Sequence, residues 1–213
     1  MLNDDELQNY QPDAFMYSKP VLEAVESANE FCLLTEAAQS EGKENFIPGL
    51  LKIISLLYSR LQQLEVPEEY AGESEQKFVS EADWTYIENI IKTTLGPDNR
   101  VVSLRVPEKP EETAETEISE CLADINQTFK DFALLYELGY EDAAETGIYE
   151  LKQLFKYHTG PRMLLVLSEM HDLINSPQGL SNNEPELPPD KPKHSQDDKE
   201  LRIERFFGES KKT

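Results

Sequence analysis

Histidine, cysteine and tryptophan are scarce in this sequence, at three, two and one residues. So few cysteines exclude a disulfide scaffold, and no Cys-x-x-Cys pair is present. Cys32 and Cys121 both fall inside helical patterns and read as buried, reduced thiols. Nine glycines are spread thinly, and none form a phosphate-cradling loop after a strand. The metalloprotease spacing and the nucleophile elbow are also missing. Long apolar runs are absent too. The most apolar stretch, Asn45 to Leu64, is interrupted by Lys52, Arg60 and serines and is too short to span a bilayer. The first residues, M-L-N-D-D-E-L-Q, lack the basic region and apolar core of a secretory signal, so a cytoplasmic protein is expected.

Basic residues are also in deficit. Twenty lysines and arginines face 42 acidic residues, a formal charge of -22. Such a field repels nucleic-acid backbones and anionic membranes, and basic residues cluster only in the last dozen positions. Neither nucleic acid nor membrane is expected as a partner. A basic partner protein, or solubility alone, suits the charge, and no cofactor is implied.

What is present is helical periodicity. Ile47, Leu50, Leu51, Ile54, Leu57, Tyr58, Leu61 and Leu64 recur at three- and four-residue steps, widened by Ile53 and Leu56. A helix apolar over most of its circumference reads as the central post of a bundle, with Asn45 as its N-cap and Pro48 in its first turn. Before it, Ser18 and Pro20 open a helix faced by Val21, Val25, Ala28, Phe31, Cys32 and Thr35, which Gly42 ends. A third helix starts at a Ser80–Asp83 capping box, buries Trp84, Ile87, Ile90, Ile91 and Leu95, and stops at Gly96-Pro97. Val101 to Val106 reads as a short strand or a strap, after which Pro107, Pro110 and the acidic run forbid regular core structure. Arg100 and Arg105 are expected to pair with nearby glutamates. The fourth helix turns Ile118, Leu122, Ile125, Phe129, Phe132, Ala133 and Tyr136 inward, with Glu117, Glu120, Asp124 and Asp131 outside, and ends at Gly139. A fifth covers Asp142 to His158. Gly160-Pro161 then breaks the chain and starts a sixth, with Leu164, Leu167 and Ile174 on its inner side and Met163, Val166, Met170 and Leu173 beside them.

The expected architecture is therefore all-α: a single six-helix up-down bundle over residues 18–175. A polar arm, 1–17, precedes it. A proline-rich linker, 176–199, is expected to be disordered, and a short amphipathic tail covers 200–213.

Candidate chemistry concentrates at the turn between helices five and six. Glu150, Tyr157, His158 and Arg162 would present an acid, a base and an anion-binding group around it. The bland alternatives are a histidine capping a helix C-terminus and an arginine paired with a surface carboxylate. His171-Asp172 resembles the paired residues of metal phosphohydrolases, a reading that needs His158 with Asp124 or Asp131 to complete a metal site. In the tail, Ile203, Phe206 and Phe207 at i, i+3 and i+4 form an anchor for a partner's groove. The run E-L-R-I-E-R-F-F resembles peptides that bind DNA sliding clamps, with Glu200 standing where those carry glutamine.

F-C-L-L at Phe31, the leucine-rich second helix and Y-E-L-K-Q-L-F-K-Y-H-T-G-P-R-M-L-L-V-L-S-E-M-H at Tyr149 to His171 resemble a family of small all-helical bacterial proteins of unknown function, found in Bacteroides-like bacteria. The resemblance implies a helical fold and a bacterial cytoplasmic setting, and it brings no activity. Two readings of function follow. The first is a protein-interaction or regulatory module that works through its acidic surface or its tail, with an unknown protein partner and a homodimer if the tail crosses to a neighbour. The alternative is a small hydrolase or ligand-binding enzyme with a polar site at the turn between helices five and six.

Overall fold

Six helical segments form, but two of them join. The computed structural model describes residues 15–66, 77–106, 109–176 and 180. Helices α1 (Lys19–Glu36), α2 (Ala38–Gln63) and α3 (Glu81–Leu95) are followed by an antiparallel hairpin of β1 (Val101–Val106) and β2 (Lys109–Glu117). Then come α4 (Ile118–Glu137), α5 (Glu141–Leu154) and α6 (Gly160–Asn175). Between α5 and α6, Phe155–Thr159 forms a π turn whose flanking residues keep helical dihedrals, so the chain runs as one rod from Glu141 to Asn175. Among the described residues the fold is thus five helical rods and a hairpin, mostly helical as expected, rather than six separate helices.

The expected break at Gly160-Pro161 fails for a local reason. Proline in a helix interior removes a hydrogen bond and clashes with the carbonyl four residues back. In the wider π turn, Gly160 N–H donates to the Phe155 carbonyl five residues back, which makes room for Pro161. Continuation also sets the phase of α6. Met163, Val166, Met170 and Leu173 are buried, while Leu164 and Ile174, expected inward, are exposed. Leu167 is half-buried.

The centre of the bundle is α4. It packs on α1, α3, α5 and α6, whereas α2 packs on α1, α3 and α6. Polar residues at buried positions concealed this: Ser119, Asn126, Thr128 and Asp131 all lie inside, each satisfied by hydrogen bonds. Asn126 donates to the Thr35 hydroxyl at 2.7 Å, and Thr35 in turn donates to the Phe31 carbonyl at 3.0 Å. Phe31 meets Phe129 edge to face at 5.5 Å. In α2, Gly42 adopts a positive φ of 68° and kinks the start. The straight part therefore begins before Asn45, whose amide donates to the Glu41 carbonyl instead of capping. Pro48 lies inside the helix beyond its first turn, and Leu56, expected inward, is exposed.

The capping box at Ser80 and Asp83 forms as read, and positive-φ Gly96 and Gly139 follow the ends of α3 and α4. Ser18 occupies the N-cap position of α1 without a side-chain cap bond. At the edge of the expected arm, Met16 is buried and its carbonyl accepts from Tyr136 Oη at 3.0 Å. The hairpin pairs Val101 with Glu117 through Arg105 with Thr113, and Pro110 falls in the register irregularity between that last pair and the pairing of Val106 with Lys109. At its base, Lys43 and Asp98 form a buried ion pair at 2.8 Å. Arg100 reaches Glu169 on α6 at 3.6 Å rather than a neighbouring glutamate. Cys32 and Cys121 are buried and free, and burial pushes the Cys32 thiol up to about 12. Among the described residues no helix is long and apolar enough to cross a membrane.

Candidate functional site: two faces of the π turn

The π turn displays side chains to two sides of the rod. Toward α4 it presents His158 and Thr159, followed by Arg162. Asp124 on α4 is the common partner of His158 and Arg162. Its Oδ1 accepts from Trp84 Nε1 at 2.9 Å and its Oδ2 from Arg162 Nε at 2.8 Å. Arg162 also donates through NH1 to the His158 carbonyl at 3.1 Å, and His158 Nε2 stands 3.9 Å from Asp124 Oδ2. Behind them, the hydroxyls of Thr128 and Thr159 are 3.1 Å apart. His158 is half-buried. Its desolvation, then the Arg162 guanidinium, hold the imidazole below its ordinary pKa, with Asp124 acting the other way. Its Nδ1 is buried without a hydrogen-bond partner among the described residues, which favours a neutral ring with its proton on Nε2, facing the carboxylate.

The structure thus brings His158 and Arg162 together and adds Asp124 and Trp84. It does not bring the other expected residues there. Glu150 lies two turns back along α5, 3.6 Å from Lys77. Tyr157 is exposed, with Lys156 Nζ 4.7 Å above its ring. His171 and Asp172 are exposed near the end of α6. Thirteen residues of helix separate His158 from His171, about 20 Å at the helical rise. Asp131, expected outside, is buried and accepts from the backbone N–H groups of Phe78 and Val79 at 2.8 and 2.9 Å. Burial raises its pKa and those two donors oppose the shift. Among the described residues no three metal-ligating side chains come together. Ile203, Phe206 and Phe207 lie outside the described residues, as does most of the expected linker.

Toward α2 the same turn opens a groove of about 480 Å³. Its floor is aromatic: Phe155 meets Tyr58 edge to face at 5.1 Å. Gly160, Pro161 and exposed Leu164 line one side, and Val66 and Gln62 the other. Lys152 and Lys156 also line it. Lys152 Nζ donates to the Leu61 carbonyl at 2.8 Å and lies 6.0 Å from the Phe155 ring, and desolvation lowers its pKa. Neither lysine forms an ion pair with a described residue. The sequence signal for this groove was a glycine-proline pair inside an apolar repeat that runs on from Leu151 and Phe155 to Met163 and Val166.

Residues 15–176 match the family model described as a domain of unknown function, DUF5063. The chain belongs to this family. The crystal structure of protein BF1032 from Bacteroides fragilis, a structural-genomics target, is similar at 27% identity with a TM-score of 0.67. The similarity covers 76% of this chain and 97% of BF1032. No curated protein matches the chain. Membership of DUF5063 supports the expected resemblance to a Bacteroides-like family of unknown function.

Proposed function

We propose that this DUF5063 chain is a protein-recognition module and that the groove beside the π turn is its binding site, taking a short apolar segment that carries an acidic side chain. The observation that carries this reading is the pairing of an aromatic floor, Tyr58 on Phe155, with two lysines that have no carboxylate partner among the described residues. In a chain of net charge -22, lysines without a carboxylate partner among the described residues, beside an apolar cleft, suit an anion attached to an apolar group. The size of the groove fits the usual range for binding pockets, about 300–1,000 Å³. π turns are rare in helices and, where they occur, often mark functional positions, which adds weight to this place on the rod. The polar cluster on the opposite face suits an enzyme less well. Arg162, its anion-binding group, is committed to Asp124 and the His158 carbonyl, and both oxygens of Asp124 are filled.

Selection from a random peptide library against the full chain, and against the chain stopped at Asn182, tests the reading. Enriched peptides are expected to pair a large apolar residue with aspartate or glutamate. Their affinity should fall about tenfold or more with Leu164→Glu, the loss of one apolar anchor. Lys152→Glu should weaken them as well. Peptides indifferent to both substitutions would place recognition elsewhere and overturn the reading.

A further inference from the structure

We infer that the groove has an occupant within the chain itself: the C-terminal segment around Ile203, Phe206 and Phe207, which docks there in cis and must be displaced before a partner can bind. This inference rests on the groove being the binding site. Three observations support it. The first is chemistry. Ile203, Phe206 and Phe207 stand at i, i+3 and i+4, a spacing that suits one face of a helical turn, and Glu204 between them supplies the acidic group that Lys152 and Lys156 suit. The second is charge. The segment carries Arg202, Arg205, Lys211 and Lys212 against Glu200, Glu204 and Glu209, in a chain where acids outnumber bases two to one. With four bases against three acids the segment is close to neutral, so the acidic body does not repel it, and a bound conformation gains from both signs of pairing.

The third is reach. Leu180 packs back against the core after α6. From there to Ile203 the chain has enough residues to span roughly 25 Å on average, more where prolines extend it. Leu164 lies about 16 Å along α6 from Asn175, so the segment can return to the groove of its own molecule. Tethering makes that return intramolecular, and an effective concentration near millimolar lets even a weak contact fill the groove. A partner would then compete with the segment, and its apparent affinity would fall by the fraction of time the groove is closed.

The test uses anilinonaphthalene sulfonate, an anionic aromatic probe, with the full chain, its Phe206→Ser/Phe207→Ser variant and the chain stopped at Asn182. The stopped chain keeps all of residues 15–176, and BF1032 shows that a protein almost wholly covered by this similarity folds and crystallises. Probe affinity should rise about tenfold in the variant and in the stopped chain if the groove is closed nine-tenths of the time. Leu164→Glu in the stopped chain should abolish that gain. Equal probe binding by all three forms, lost with Leu164→Glu, would overturn the inference and leave the groove reading standing. Binding indifferent to Leu164→Glu would overturn both. Light scattering across a concentration series should give a monomer. A dimer that disappears on stopping at Asn182 would put the segment on a second copy and overturn docking in cis.

Discussion

Asp124 shows how much one carboxylate can organise. Its two oxygens tie Trp84 on α3 to Arg162 on α6 through the central helix α4. The Arg162 side chain is 17% exposed, so removing its partner leaves a largely buried guanidinium without a counter-ion. Asp124→Ala should destabilise the fold by about 2 kcal/mol, a figure reduced from fully buried pairs because the carboxylate is partly solvated. Asp124→Asn, which keeps an acceptor, should cost less. Denaturant midpoints of the two variants check this, and equal, negligible shifts would show that the cluster is decoration. His158 beside it gives a pH dependence with a definite sign. Its folded-state pKa lies below the ordinary 6.5, so the unfolded chain takes up the proton first as pH falls. The contribution is fully present above about 6.5 and is lost as pH falls from there through the folded pKa. Melting curves from pH 8 to 5 should therefore fall more steeply for the wild type than for His158→Gln. Parallel curves would contradict the assignment.

At the scale of elements, the π turn is the unusual feature, and Gly160 is its requirement. A Cβ there would lie 2.3 Å from the Phe155 carbonyl oxygen and 3.3 Å from the Phe155 ring. Replacing glycine by alanine inside an ordinary helix stabilises by up to about 1 kcal/mol. Here the sign should reverse: Gly160→Ala is expected to destabilise by roughly 1–2 kcal/mol and to disturb the Tyr58–Phe155 contact. Thermal melting decides between the two signs. These elements also show what was legible in the sequence. The apolar spacing located every helix, and Ser80–Asp83, Gly96 and Gly139 marked ends that the structure keeps. The joining of α5 to α6 was not legible, because glycine-proline is the usual punctuation of a helix end and only the i→i−5 bond at Phe155 overrides it. Without that continuity the phase of α6 was ambiguous, and Leu164 was assigned to the core instead of the groove edge. Asp124 and Asp131 were placed outside on polarity alone. Their partners, Trp84, Arg162 and the backbone at Phe78 and Val79, come from other parts of the chain.

For the whole molecule, the charge of -22 and the groove belong to one account. A strongly acidic body repels other acidic surfaces. In the proposed reading, the lysines that line the aromatic groove attract an acidic, apolar segment. His158 lies within the π turn and Arg162 follows it, both on the α4 face, opposite the groove. The groove on the α2 face was not legible because Tyr58 and Lys152 are far apart in sequence and meet only through packing of α2 on the α5–α6 rod. The measurement that tests this account most directly is amide chemical-shift mapping of the chain stopped at Asn182, titrated with a synthetic peptide of residues 198–213. Shifts concentrated at 58–66 and 152–164, and lost with Leu164→Glu, are the predicted result. Shifts confined to the Trp84–Asp124–His158 face, or no saturable shifts at all, would contradict it.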